Sequence, residues 1–382
     1  LLTGRIRLPG FSGEWEAKKL GEIGSFKKGR NIPKGKLTTD GQPCVLYGEI
    51  YTTYDCVVHE LKSRISQKTA LQATTIHSGD ILFAGSGETA DEIGKCFAYV
   101  GPEQAYAGGD LIVMSPASAD STFLGYQLNS PAVCDQKSKL GQGSSVVHIY
   151  ADRLCTIHIL IPPLPEQRAI ATVLSDVDAL ITALDKLIAK KRAIKQAAMQ
   201  QLLTGRTRLP GFSGEWETEA LGSIGTFRGG SGFPTQYQGE IEGDYPFYKV
   251  SDMNNVGNAT FMKDSNNWIV ERVRKQVGAN TFPERTIVFA KIGAAIFLER
   301  KKILSQESCI DNNMMGFMLD EGAADHRFVH YILLQTKLGQ LVSTTALPYL
   351  NAKVLTNLEY ALPPLPEQRA IAAVLSDMDA EI

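Results

Sequence analysis

The chain predicts an α/β (α+β) protein in which one mixed α/β fold occurs twice, joined by a long helix. Two observations carry this. Residues 1–29 (LLTGRIRLPGFSGEWEAKKLGEIGSFKKG) return as 202–230 (LLTGRTRLPGFSGEWETEALGSIGTFRGG), and 161–181 (IPPLPEQRAIATVLSDVDALI) return as 362–382 (LPPLPEQRAIAAVLSDMDAEI). Both pairs share one offset of 201 (202 − 1 and 362 − 161), so the intervening stretches 30–160 and 231–361 have equal length although their sequences diverge. Repeated ends answer one shared geometric demand. Diverged middles of equal length point to one fold carrying two different cassettes.

Composition sets the class. A chain of 382 residues has room for two or three domains, and 43 % hydrophobic content suffices for a core in each. Of the six cysteines, five fall in the first half and none forms CxxC, which excludes a duplicated disulfide framework or zinc site and leaves reduced thiols as the expectation. No apolar run approaches the ~20 residues of a membrane span and no signal peptide is visible, so a cytoplasmic protein is expected. The chain opens on Leu1 rather than Met, as a start inside a longer product would. A net charge of −2 excludes a uniformly basic coat for nucleic acid, so any DNA contact must come from local basic loops.

The long helix is read from residue 165 to 205. Pro162 and Pro163 hold the approach extended, Pro165 suits a first helical turn where a missing N–H costs nothing, and Gly205 is a terminator. Ile170, Val173, Leu174, Val177, Leu180, Leu184, Leu187, Ile188 and Ile194 recur at a 3.5-like spacing, the pattern of a coiled-coil seam and a candidate partner-binding surface. About 40 residues at 1.5 Å give a rod of roughly 60 Å. The alternative is a core helix inside one domain. A second copy starts at Pro366 and stops at Ile382, which predicts a pseudo-two-fold pair of rods with part of the first seam uncovered.

Within the cassettes, short apolar runs bounded by Gly, Pro or Asp predict strands at 45–50, 81–84, 96–100 and 111–115, and again at 246–250, 286–290, 295–298 and 314–319. Helices are expected at 123–128, 328–334 and 338–341. Two echoes survive the divergence: DILFAGSG (80–87) against TIVFAKIG (286–293), and HIYADRL (148–154) against YLNAKVL (349–355).

Catalytic chemistry is not visible. There is no GxxxxGK[ST], no GxGxxG after a strand and no DPPY or NPPY tetrapeptide. Of the six histidines only His326 and His330 share i,i+4 spacing, and with no intervening acid or third ligand they read as surface or packing residues rather than metal ligands. The expectation is a non-enzyme with no cofactor and no metal.

The polar vocabulary instead suits DNA. FKKGRNIPKGK offers Lys27, Lys28, Arg30, Lys34 and Lys36 to phosphates, unless it is a solvated turn. KLGQGSSVVHIY supplies Gln142, Ser144, Ser145, His148 and Tyr150. Its counterpart STTALPYLN supplies Thr344, Thr345, Tyr349 and Asn351. Such side chains hydrogen-bond base edges, or equally fill a polar loop before the last strand. Arg228, Lys249, Asn254, Asn255 and Lys291 add candidates of the same kind.

The duplicated frame PPLPEQRAIATVLSDVDALI…KKRAIKQAAMQQLLTGRTRLPGFSGEW, followed by LGSIG.F, resembles the specificity (S) subunit of type I restriction–modification systems over the whole chain. The resemblance implies two target recognition domains, at 1–164 and 206–365, with a conserved spacer helix at 165–205 and the start of a second at 366–382. It implies that each domain reads one half of a bipartite, asymmetric site in double-stranded DNA. It also implies helices that set the spacer and dock two adenine-N6 methyltransferase (M) subunits, with a restriction/translocase (R) subunit joining for cleavage. The runner-up is a protein-interaction scaffold with two binding cassettes. A self-sufficient methyltransferase is disfavoured by the missing motifs.

Overall fold

The computed structural model describes all of the chain except residue 31 and residues 343–346. It divides into two compact units, Leu1–Leu184 and Asp185–Ile382, and the helix Leu164–Leu202 runs through the division.

In the first unit a five-stranded sheet has the order Gly24–Lys28, Leu111–Pro116, Ile81–Ala84, Cys96–Tyr99, Val57–Val58. Its pairs are antiparallel except the last, which is parallel. The central strands are apolar throughout because both faces are covered. Ile81 and Phe83 point into one core with Met114, Phe123, Leu154 and Ile170. Leu82 and Ala84 point into a second with Val45, Tyr54, Phe97 and Val113. A second sheet, Leu37–Thr38, Ser63–Ile65, Gln42–Val45, Ala105–Ala107, Thr74–Ile76, lies beyond the latter core.

The second unit repeats this plan. Gly225–Gly229, Met314–Leu319, Ile287–Ala290, Lys301–Leu304 and Phe261–Met262 match the first sheet strand for strand, again with one parallel edge pair. Trp268–Ile269, Tyr245–Tyr248, Ser308–Ile310 and Thr281–Phe282 match four strands of the second.

The repeated ends acquire physical reasons. The ribbon of Glu16–Lys19 with His158–Ile161, and its counterpart Glu217–Ala220 with Glu359–Leu362, brings the opening of each unit beside the start of a helix. There the buried carboxylate of Glu166 takes the Arg7 guanidinium through both oxygens, and Glu367 takes Arg208 in the same way. Each arginine also lies over a tryptophan, Trp15 or Trp216, at 5.7 Å. The next residue, Gln167 or Gln368, accepts the backbone N–H of Asp120 or Asp325 at 2.9 Å. Those aspartates cap the helices Ser121–Gln127 and His326–Gln335. RLPGFSGEW and LPEQ are thus two halves of one lock.

Several elements differ from expectation. The strand expected at 45–50 is Gln42–Val45 followed by the helix Tyr47–Thr52, and that expected at 246–250 is Tyr245–Tyr248 followed by a 3₁₀ turn, Val250–Asn254. Residues 295–298 are not a strand but part of a 3₁₀ turn, Ala294–Leu298. It is bounded by Gly293 at φ +80° and Glu299 at φ +55°, positive values that turn the chain at each end and break a ladder. The strand at this place is Lys301–Leu304. The helix expected at 338–341 is a single 3₁₀ turn, Leu338–Gln340. The long helix ends at Leu202, and Gly205 takes the left-handed conformation just beyond it, at φ +68°. His330 is packing, as expected: it is buried with Nε2 2.9 Å from the Lys301 carbonyl oxygen, and burial pushes its imidazole down to about 4. Cys44, Cys96 and Cys309 are buried free thiols, each pushed up to about 12 by burial.

Along the long helix, Ile170 is buried and Leu174 and Ile188 are half-buried, but Val173, Val177, Leu180, Leu184, Leu187 and Ile194 are exposed. Two of its lysines are engaged within the second unit. Lys191 pairs with Glu381 at 2.7 Å, and Lys195 pairs with Asp379 while lying over the Tyr331 ring at 5.3 Å. Tyr331 donates to the same Asp379 at 2.7 Å. In the first unit Tyr126 donates to the matching Asp178 at 2.7 Å, with no lysine beside it among the described residues.

Candidate nucleic-acid interface

In the first unit the strand Ile81–Ala84 leaves the sheet at Gly85, and a fixed set of backbone hydrogen bonds gathers three other segments around that point. Gly85 N donates to Asp110 O at 2.7 Å, Ile149 N donates to Gly85 O at 3.0 Å, and Gly29 N donates to Leu111 O at 2.8 Å. Ser86–Gly87 pairs with Val147–His148. The result is a small cleft lined by Lys28, Gly85, Asp110, His148 and Tyr150. Gly85 is required, since a Cβ there would sit 2.9 Å from the Asp110 carbonyl oxygen. Asp110 holds φ +59°, a left-handed conformation that Asp tolerates better than most residues, and its place between two clefts makes it a positioned group. The second cleft, about 500 Å³, shares Asp110 and is lined by Ile32, Lys34, Tyr47 and Glu49.

The His148 ring is oriented by Ser86, whose hydroxyl lies 3.0 Å from Nδ1, and it stacks on the exposed Tyr150 with ring centroids 6.4 Å apart. His148, Tyr150, Lys28 and Asp110 therefore line one opening. This set can bind a phosphate and contact base edges.

The other candidates of this unit fall into two groups. Lys34 lines the larger cleft, while Arg30, Lys36, Ser144 and Ser145 are exposed. Gln142 is exposed and exchanges both backbone hydrogen bonds with His148, which fixes the hairpin. Lys27 is different. Alternation along Gly24–Lys28 turns it away from Lys28 and the cleft, and its ammonium lies 3.9 Å from buried Asp80.

The second unit rebuilds the frame with other side chains. Lys291 N donates to Asn313 O at 2.8 Å, Leu350 N donates to Lys291 O at 2.9 Å, and Ile292 bridges to Tyr349. By these bonds Lys291 stands where Gly85 stands, Asn313 where Asp110 stands, and Tyr349 where His148 stands. The Lys291 ammonium lies against Gly229, where an added Cβ would come within 2.5 Å of it. Tyr349 is exposed.

The remaining candidates here mostly have internal partners. Arg228 is half-buried over the Phe282 ring at 4.4 Å and donates to Thr281 O. Lys249 donates to the Gln238 side-chain oxygen at 2.9 Å, and Asn255 is held by Asp264 and Asn266. Asn351 caps the short helix Ala352–Thr356, accepting Lys353 N at 2.9 Å, so its side chain serves the fold. Asn254 is exposed. Thr344 and Thr345 lie outside the described residues. Gly85, Ser86, Tyr47, Asp110 and Asn313 were missed in the sequence. The paired echoes at 80–87 and 286–293 were the signal that could have located the first two.

Among the described residues no group of three or more His, Cys, Asp or Glu is placed to hold a metal ion, and no helix is long and apolar enough to cross a membrane.

Fold and site together define a two-cassette protein, with one frame used twice and the side chains at the opening exchanged. The family model for the type I restriction modification DNA specificity domain matches the chain twice, over residues 12–196 and 213–382, and the chain belongs to that family. It is similar to the type I restriction enzyme MjaVIII specificity subunit of Methanocaldococcus jannaschii, 23 % identical over 96 % of this chain and 86 % of that one. It is also similar to the putative MjaX specificity subunit of the same organism, 26 % identical over 79 % and 72 %. Its fold matches the S subunit of a type I restriction–modification system from M. genitalium with a TM-score of 0.62, at 16 % identity, over 98 % of this chain and 92 % of that one. A chain from a structural study of the assembly and conformational transition of the type I system matches with a TM-score of 0.54 at 19 % identity, over the same shares.

Proposed function

We propose that this specificity subunit is a non-catalytic DNA reader in which each unit recognises one half of a bipartite, asymmetric site in double-stranded DNA. One observation carries the reading. The same backbone bonds present Lys28, Gly85, Asp110, His148 and Tyr150 in one unit and Lys291, Asn313 and Tyr349 in the other. A homodimeric reader demands a palindrome, whereas two unlike readers in one chain permit two unlike half-sites. Lys28, Lys34 and Lys291 serve phosphates, and His148, Tyr150 and Tyr349 face the bases.

The reading extends to assembly in the cytoplasm. The repeated helices set the number of unread base pairs between half-sites, and the exposed seam from Val177 to Ile194 docks two M subunits that carry the methyl transfer to adenine N6. An R subunit joins the complex for cleavage. The chain itself needs no cofactor and no metal.

Methylome sequencing of cells carrying this chain with its M subunit tests the proposal. Methyladenine at one bipartite motif is expected. Two palindromic motifs, or none, would overturn it. Salt-dependent binding to that duplex separates the reader from a scaffold that binds only proteins.

A further inference from the structure

The second unit holds a cleft of about 730 Å³ that the reading site does not use. It opens at the other end of the strand Ile287–Ala290: Glu284 and Arg285, just before the strand, line it, as does Leu304 at the end of the neighbouring antiparallel strand. Six residues at about 3.3 Å each put ~20 Å between Arg285 and Lys291. One wall is the helix Leu365–Ala380, which contributes Arg369, Ala372 and Ala373.

The charges of this cleft do not cancel. Its acids are already engaged. Glu321 accepts Arg285 Nη1 through both oxygens at 2.9 and 2.7 Å, Glu284 lies 3.5 Å from Arg285 Nε, and Asp325 caps its helix by accepting Arg327 N and Phe328 N. Arg327 lies over the Phe261 ring at 5.6 Å, while Lys263 and Arg369 extend into the cleft. None of these three cations has an anionic partner among the described residues. His326 is not counted among the cations, since burial holds its imidazole below the usual range. Leu304, Ala324, Ala372 and Ala373 give the cleft an apolar side.

The first unit has lost this arrangement. Gly79, at φ +98°, stands in the place of Arg285, at φ +69°, and Thr122 and His59 stand in the places of Arg327 and Lys263. Of the set only Arg168 remains, matching Arg369.

We propose that this cleft binds an acidic segment of a protein partner, its carboxylates taken by Lys263, Arg327 and Arg369 and an apolar side chain seated against Leu304, Ala372 and Ala373. Arg285 with Glu321 already shows a carboxylate held at this cleft by a guanidinium, both oxygens meeting Nη1. A DNA phosphate would leave the apolar wall unused, and the cleft lies at the wrong end of the strand for the duplex. Because the first unit lacks the set, each chain takes one such segment. The inference goes beyond DNA reading, and its exclusion of the duplex from this cleft rests on the reading site proposed above.

The test is fluorescence anisotropy with a fluorescein-labelled peptide of alternating glutamate and leucine, titrated with the full chain at low salt. Saturable binding is expected. Arg327→Glu and Arg369→Glu should each weaken it at least tenfold, Arg369→Lys should retain most of it, and Arg168→Glu on the matching helix should leave it unchanged. Far-UV circular dichroism and thermal melts establish that each variant is folded. Absence of saturable binding, an equal loss in Arg168→Glu, or displacement of the peptide by excess duplex DNA would each overturn the assignment.

Discussion

Converting Leu180, Leu184 and Leu187 to lysine should leave the isolated chain as stable as before and weaken its association with the M subunit about a hundredfold. The three side chains are 60 %, 47 % and 48 % exposed, so about half of each remains to be buried. Full burial of a leucine is worth about 1.5–3 kcal/mol, so the unburied half is worth about 1 kcal/mol each and ~3 kcal/mol together. At about 1.4 kcal/mol per decade that corresponds to roughly two orders of magnitude in Kd. Lysine forms helix nearly as well as leucine, and surface exchanges of this kind usually stay within about 0.5 kcal/mol, so folding should hardly register the change. Calorimetric titration of the variant with the M subunit measures the first quantity, and differential scanning calorimetry of the chain alone measures the second. Unchanged affinity would show that the seam is not where the partner docks. A large fall in melting temperature would show that the seam belongs to the core of the isolated chain, against the exposure described.

Three further outcomes follow from named contacts. Arg7→Ala leaves the Glu166 carboxylate, 1 % exposed, without its partner, and should cost about 3–5 kcal/mol. At about 2–4 °C per kcal/mol the first unit should melt roughly 6–20 °C lower, and Arg7→Met with Glu166→Met should recover most of the loss in the same scan. His330, held at about 4 against about 6.5 in the unfolded chain, contributes stability that is complete above pH 6.5 and lost as pH falls towards 4; denaturant titrations across that window should show the slope flatten in His330→Phe. Lys28→Ala should weaken duplex binding about equally for all sequences and lower the slope of log K against log salt by about 1, measured by anisotropy from 50 to 200 mM salt.

What could be read from the sequence depended on how local the responsible physics is. The frame was legible because its residues work through short-range rules that repeat: prolines before a helix, a glycine after it, and an apolar spacing that distinguishes a rod from a strand. Even so, the Arg7–Glu166 and Arg208–Glu367 pairs, each 159 positions apart, explain why RLPGF and LPEQ recur together, and no spacing within either motif reveals that link. Most of the second sheet of each unit was illegible for a different reason. Strands such as Leu37–Thr38, Ser63–Ile65 and Thr281–Phe282 are two or three residues long, too short for an alternation to register. Residues 295–298 misled because apolarity was taken for burial in a strand, whereas Phe297 and Leu298 point outward from a 3₁₀ turn. Asn351 misled because a capping side chain and a base-reading side chain look alike until the helix it caps is known.

The position shared by Gly85 and Lys291 suggests how such a protein can change what it reads without changing its fold. At both places the backbone does the structural work, donating to one neighbouring segment and accepting from another, so the side chain is free of the scaffold in principle. In the first unit that freedom is withdrawn by the 2.9 Å approach of the Asp110 carbonyl oxygen, and only glycine fits. In the second, Asn313 occupies the corresponding place, a lysine fits, and its ammonium fills the space over Gly229 instead. Each residue at the opening therefore constrains its neighbours: Gly85 goes with Asp110 in the left-handed region, and Lys291 goes with Gly229. Cassettes built this way exchange as coupled sets rather than residue by residue. Near-complete divergence of 30–160 from 231–361 between almost unchanged ends is the pattern that coupling would leave.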